Sequence, residues 1–417
     1  MRLFVLLAST SLLAACGGGG AQTISSTPAP PSGGGNPDGG GTANTEHSFA
    51  NPTEAKTYKG VGGNHVYEYN TDDRFCCNQQ AEIYAGNTTT VRNSSMSISY
   101  DPADAIYELV VTDETTGAST NTRFQDPASR TDFGGLQEPQ WGTPKLSNQN
   151  INYLQAGDGN PRSPFDRSGA GFVNSGTNDT PPSGDVGSSY SASSLFLLEP
   201  GTETEYVTFA GYVRNSLSFG SFVLDGETVE HEQTIWHLER GAFAFGEISP
   251  NDNVPTLGAG TYQGSMLASM IFNPTIDGQD ASGLSNLPSY FQWIEGTANI
   301  AVDFAQSSFD ISLDGTVLAP QIDRFTAPAA TVLEDGAQFS ASGRGDINLI
   351  NFGGFKGFID SATFNQNGNS HAVAIEGSTV DGAFYGPDSE EIGGGFRIVG
   401  GNPDERVDIL GTFVGKK

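Results

Sequence analysis

The chain has 417 residues, with 48 Asp and Glu against 19 Lys and Arg, giving a net charge of −29. That surplus of acid excludes nucleic acid and anionic lipid head groups as electrostatic partners and leaves cationic ones open. Fifty-five glycines, 26 phenylalanines and 13 tyrosines without long helical periodicity point to an all-β protein rich in turns.

The first residues read as an export signal. Arg2 precedes an apolar stretch, Leu3 to Leu13, too short to span a bilayer, and Leu13-Ala14-Ala15-Cys16 closes it. Small residues before a cysteine have the order of a bacterial lipobox. Residues 1–15 are expected to be cleaved and Cys16 to be acylated, which anchors a protein to a membrane without crossing it. Gly17 follows, with no Asp to retain the product at the inner membrane, so an outer-membrane address is favoured. Residues 16–45 are rich in Gly, Pro, Ser and Thr and read as a flexible tether.

From residue 46 to about 150, short strand candidates alternate with polar turns. "NHVYEY" alternates around Val66, Tyr67 and Tyr69, "MSISY" around Ile98 and Tyr100, and "AIYELVV" is a more continuous run. Cys76 and Cys77 are adjacent in "DDRFCCNQQ"; they could close a vicinal disulfide or pair with another chain, and a vicinal disulfide holding a loop is preferred. Arg74 and Phe75 at the same tip are weaker candidates for ligand contact. Asn148 to Ser194 reads as long loops, either functional or disordered.

Strand character returns in "EYVTFAGYVR", "SFGSFVL" and "GAFAFGEI", and "PNDNVPTLGAG" then interrupts it. A boundary near Thr256 divides a domain of residues 46–256 from one of residues 257–417. In the second domain "TYQGSMLASMIF", "TANIAVDF", "SFDISL", "AQFSASG", "INLINF", "GFKGFI", "HAVAIEG", "TVDGAFY", "GGFRIV" and "DILGTFVG" are short and alternate with period two. Such spacing suits an antiparallel meander. Glycines beside inward aromatics favour a closed barrel over an open sandwich.

The stretch Asn273 to Gly296 joins two of these strands and ends with Leu287, Tyr290, Phe291 and Trp293. Aromatics on a loop held by a rigid scaffold serve as binding anchors; the competing role is to cap the barrel mouth. Other constellations carry less. His231 and His237 are six apart, where a zincin helix needs four. His65 and His371 read as isolated surface or loop residues, and "GRGD" (Gly343 to Asp346) as a turn. A single His or Tyr could ligate haem, but none is singled out, so metal ligands stay unassigned. No nucleophile elbow, phosphate loop or dinucleotide fingerprint appears, and the chain is read as a non-enzyme.

Near the C-terminus, "GAFYGPDSEEIGG" ends an aromatic strand at Tyr385-Gly386-Pro387, inserts an acidic turn with Glu390 and Glu391, and resumes at Gly393-Gly394. Asp388 to Glu391 suit one helical turn whose free N–H groups favour acid. This order, with the lipobox, "NVPTLGAGTYQG" and "EYVTFAGYVR … GAFAFGEISP", resembles the transferrin-binding-protein-like surface lipoproteins. The resemblance implies a handle-like β domain followed by an eight-stranded antiparallel barrel, and export by an outer-membrane translocon that reads the barrel. It further implies a surface receptor for a protein or metal-bearing ligand, with iron or haem as the commonest theme and a TonB-dependent receptor as possible partner. The alternative is an adhesin or immune-evasion binder of the same architecture.

Overall fold

The structure, a computed structural model, describes residues 49–72, 79–81, 96–112, 117, 119–125, 142–157, 190–224, 227–274, 290–319, 321–322, 333–350, 353–401 and 405–417. Its first ten strands are β1 (Lys56–Lys59), β2 (Val61–Asp72), β3 (Gln79–Ala81), β4 (Met96–Asp101), β5 (Ile106–Thr112), β6 (Ser119–Gln125), β7 (Ile151–Gly157), β8 (Tyr190–Leu198), β9 (Val207–Leu224) and β10 (Glu227–Gly246). They form two antiparallel sheets, ordered β1-β4-β5-β6 and β3-β2-β10-β9-β8-β7. Alternation along each strand turns Ile98, Leu109 and Phe124 of the first sheet onto Leu195, Tyr212 and Phe243 of the second, closing one apolar layer.

After a short 3-10 turn, Asn251–Asn253, the chain enters β11 (Ala259–Pro274), β12 (Tyr290–Asp303), β13 (Ser308–Val317), β14 (Gln321–Ile322), β15 (Gln338–Asn348), β16 (Gly354–Gln366), β17 (Asn369–Ala372), β18 (Ala374–Tyr385), β19 (Glu391–Gly401) and β20 (Glu405–Lys416). Eight of these follow one another around a ring, β11-β20-β19-β18-β16-β15-β13-β12, and β12 pairs back onto β11. The result is a closed antiparallel barrel, as the period-two runs and glycines suggest, with the eight strands that the family resemblance implies. β14 and β17 are short additions on β12 and β16. Inward residues such as Ile311, Phe339, Phe355, Phe384, Phe396 and Phe413 fill the interior. The Phe355 ring lies 5.0 Å from Phe309 and 5.7 Å from Phe384, edge to face with both.

One sector of the barrel wall is buried on its outside as well. Val207, Phe209, Ala242 and Ala244 of the six-stranded sheet pack on Leu267, Trp293, Ala383, Tyr385 and Val414 of the barrel. This explains the consecutive glycines of β19. A Cβ at Gly393 would lie 2.8 Å from the Val207 side chain, on the outer face. One at Gly394 would lie 2.4 Å from the Asp381 carbonyl and 2.7 Å from the Phe413 ring, on the inner face. The wall is thinned on both sides at the point where it is covered on both sides.

Several sequence expectations change. Asn148 to Ser194, read as long loops, contains β7 and the start of β8. "EYVTFAGYVR" and "SFGSFVL", read as two strands, are the single strand β9, because it stays paired with β10 from Val207 against Gly246 to Leu224 against Glu227. "GRGD" is not a turn. Gly343 to Asp346 stay in register with Ile359 to Lys356 inside the β15–β16 ladder. The acidic stretch after Tyr385 is a tight turn rather than a helical one, since Gly386 (φ 86°) and Ser389 (φ 60°) adopt left-handed backbone conformations that stop a helix.

Gly394→Val is expected to cost about 1–3 kcal/mol through overpacking, read as a lower urea midpoint; an unchanged midpoint would refute the close-packing account.

Candidate functional site

The acidic turn is where several parts of the chain meet. Gly386 N–H donates to the Glu247 carbonyl at 2.9 Å, and Ser249 Oγ donates to the Gly386 carbonyl at 2.5 Å. Asn253 Nδ2 donates to the Pro387 carbonyl at 2.7 Å, and Tyr262 Oη to the Ser389 carbonyl at 2.9 Å. The Lys417 N–H reaches the Glu390 carbonyl at 3.1 Å. The segment entering the barrel, its first strand and its last residue are thus tied to one corner. Glu390 turns inward on that corner, with Oε2 accepting the Asp388 N–H at 3.0 Å.

Glu391 reaches the other way, into the N-terminal β domain. Its carboxylate accepts the backbone N–H groups of Glu205, Tyr206 and Val207 at 2.5, 2.8 and 3.1 Å, which holds the start of β9 on the barrel. Burial raises its pKa; the three N–H donors oppose that, and the nearby Glu205 carboxylate adds to it.

A second polar contact crosses the same junction. His65 of β2, 1 % exposed, lies with Nε2 3.3 Å from Asp408 Oδ1 and Nδ1 3.3 Å from Ser269 Oγ. Arg397 Nε and Nη2 donate to the two oxygens of Asp408 at 3.2 and 2.9 Å. Burial alone would raise the Asp408 pKa, but the contacts with His65 and Arg397 outweigh it and hold the carboxyl well below the usual carboxylate range. His65 is therefore not the surface or loop residue that its sequence surroundings suggest. Its register opposite Arg240 on β10 turns it toward the barrel. The sequence signal for the pair was weak: a charged residue at an outward strand position normally means solvent.

The two rims of the barrel differ. Residues 304–307, 349–353 and 386–390 join strands at one rim by short turns. At the other, residues 275–289 join β11 to β12, 318–337 join β13 to β15, 367–373 join β16 to β18, and 402–404 join β19 to β20. The β10 strand passes Glu247 beside the short-turn rim and Arg240 beside Phe291, at the far end of β12, where the guanidinium lies 5.6 Å from the ring centroid. Its remaining length to Glu227, paired with β9, continues toward the side of the long connections.

Of the aromatic candidates, Tyr290, Phe291 and Trp293 lie in strand β12 rather than on a loop. Phe291 and Trp293 are each 2 % exposed. Trp293 packs edge to face on Phe196 at 5.3 Å and donates Nε1–H to the Gly142 carbonyl at 2.9 Å. Odd positions of β12 face out of the barrel, and the N-terminal β domain covers that face at Trp293, while Thr297, Asn299 and Ala301 further along are exposed. Leu287, Arg74, Phe75, Cys76, Cys77 and Cys16 lie outside the described residues. Among the described residues no group of three or more His, Cys, Asp or Glu could hold a metal ion.

A β domain docked on a closed barrel, with only short turns on one rim and the longest connections on the other, defines a scaffold class. Residues 254–417, which include the whole barrel, match the family described as the C-lobe and N-lobe beta barrels of Tf-binding protein B. Similar solved structures include a variant of the vaccine antigen transferrin binding protein B from Haemophilus parasuis Hp5, 12 % identical, covering 86 % of this chain and 77 % of that one, with a TM-score of 0.28. Intact Ap-TbpB, with its N and C lobes, is 10 % identical over 88 % of this chain and 80 % of that one, TM-score 0.26. The isotype 1 protein from serogroup B Neisseria meningitidis is 12 % identical over 88 % and 77 %, TM-score 0.22. No curated protein sequence matches the chain.

Glu391→Ala should strand three backbone N–H groups and lower stability by about 1–3 kcal/mol, measured by urea unfolding; wild-type stability would rule out the clasp. For Asp408, a folded pKa below the unfolded one means that the ionised group stabilises the fold above about pH 4. That contribution is lost as the pH falls through the folded value. Asp408→Asn should cost about 3 kcal/mol at pH 7 and flatten the decline of melting temperature in acid. An acid limb as steep as that of the wild type would contradict the assignment.

Proposed function

We propose that the protein is a lipid-anchored receptor of the bacterial outer-membrane surface, held through Cys16, that captures a protein or metal-bearing ligand. Its cargo class is an iron carrier or haem carrier, handed on to a TonB-dependent receptor, and its export depends on an outer-membrane translocon that recognises the barrel. The observation that carries this reading is the asymmetry of the barrel: the long connections 275–289 and 318–337 join strands at one rim, and the paired far ends of β9 and β10 extend toward the same side. A closed barrel fixes the strand ends from which such connections leave, and binding residues concentrate on connections of this kind. Support also comes from the name of the family that matches the barrel, transferrin-binding protein B. A charge of −29 suits a partner that presents a basic face and speeds their encounter.

Immobilised protein from Gly17 onward is expected to retain an iron-loaded carrier such as transferrin or a haem-loaded protein from host fluid. Replacing residues 275–289 by a short turn should abolish retention while the melting temperature stays near that of the wild type. Retention of host proteins that carry neither iron nor haem would replace nutrient capture by adhesion. Full retention by the shortened variant would remove this rim from the binding face.

A further inference from the structure

The N-terminal β domain closes its apolar layer at one end only. Three inward-facing rows show the change of chemistry. On β4 and β5 the cross-strand pairs Met96–Val111 and Ile98–Leu109 are followed by Tyr100–Tyr107. Across from them on β7, inward Leu154 is followed by Asn152. The earlier members of each row are buried, whereas Tyr100, Tyr107 and Asn152 are half-buried. Core positions have thus been given to side chains with an apolar body and a polar tip, all at the same end of the sandwich.

These residues line one open cavity of about 420 Å³, within the size range of small-ligand sites. Its floor is Phe49, Tyr58 and Phe245, packed on one another with ring centroids 5.1 to 6.0 Å apart. Tyr100 and Tyr107 form one wall, their rings 4.4 Å apart and tilted by 34°. Asn51, Asn152 and Glu199 bring amide and carboxylate groups to the mouth.

We propose that this cavity binds a neutral sugar unit of a glycan. A pyranose has an apolar C–H face that lies against an aromatic ring, and hydroxyls that need donors and acceptors together, which amides and tyrosine hydroxyls supply. Anions are disfavoured, since Glu199 is the one charged lining residue among those described. An enclosed cation would need uncompensated negative charge at the floor. Glu247, next to the Tyr58 hydroxyl, is already paired with Lys56, which also lies 5.4 Å from the centre of the Tyr58 ring. The site is separate from the barrel rim and independent of the protein captured there.

The test is the mature chain on an array of neutral, sialylated and sulfated glycans, followed by calorimetric titration with a retained neutral oligosaccharide. Retention of neutral glycans is expected. Asn152→Leu, which extends an apolar row and preserves the fold, should weaken binding about tenfold. Tyr100→Ala combined with Tyr107→Ala should abolish it. The proposal fails if no neutral glycan is retained, if only acidic glycans are, if a lysine-rich peptide competes for the site, or if folded Asn152→Leu binds like the wild type.

Discussion

The structure depends on one long-range pairing: β11 must hydrogen-bond on one side to β12 and on the other to β20, so that Met266 faces both Gly296 and Phe413. Without that closure the barrel would be a sheet with two open edges, each a row of unpaired N–H and C=O groups. Closure also creates the enclosed space into which the inward aromatics pack. It brings Lys417 beside the Glu390 carbonyl, so the end of the chain completes the same corner that the barrel's first strand enters.

The junction between the two parts follows from thinning the wall and then bridging it. Gly393 lets the six-stranded sheet approach, and Glu391, two residues earlier, accepts N–H groups from the strand that approaches. The His65–Asp408–Arg397 contact sits in the same interface: Arg397 pairs with Asp408 within the barrel, and His65 reaches that carboxylate from the six-stranded sheet. Partners that can satisfy one another only when the sheet and the barrel are docked give the interface one registration, where apolar contact alone would tolerate sliding.

Function is then a matter of what this rigid body leaves uncommitted. Strands β11 to β20 spend their inward residues on the core, and β19 and β20 spend their outward ones on the junction. The connections at the far rim are joined to this body at their ends, with Leu333, Ala337 and Val373 reaching the barrel core. At the opposite end of the molecule's logic, the sandwich leaves its last inward row amphipathic. Both proposed recognition surfaces lie where the packing requirement ends.

The sequence by itself determined the class of fold. Period-two runs such as "SFDISL" and "QFSAS" state locally which residues face inward, and the motif from Tyr385 to Gly394 states where a strand turns back. Those signals rest on nearest-neighbour sterics and backbone geometry, which a linear reading can follow. It could not say that Trp293 and Phe291 lie under another sheet, that His65 meets Asp408, or that Asn152 belongs to the same cavity as Tyr100. An outward residue looks the same whether water or a second layer covers it, and a cavity wall looks like a core row until its last member is exposed. Only the tertiary structure decided those points, because burial is set by what packs from elsewhere in the chain.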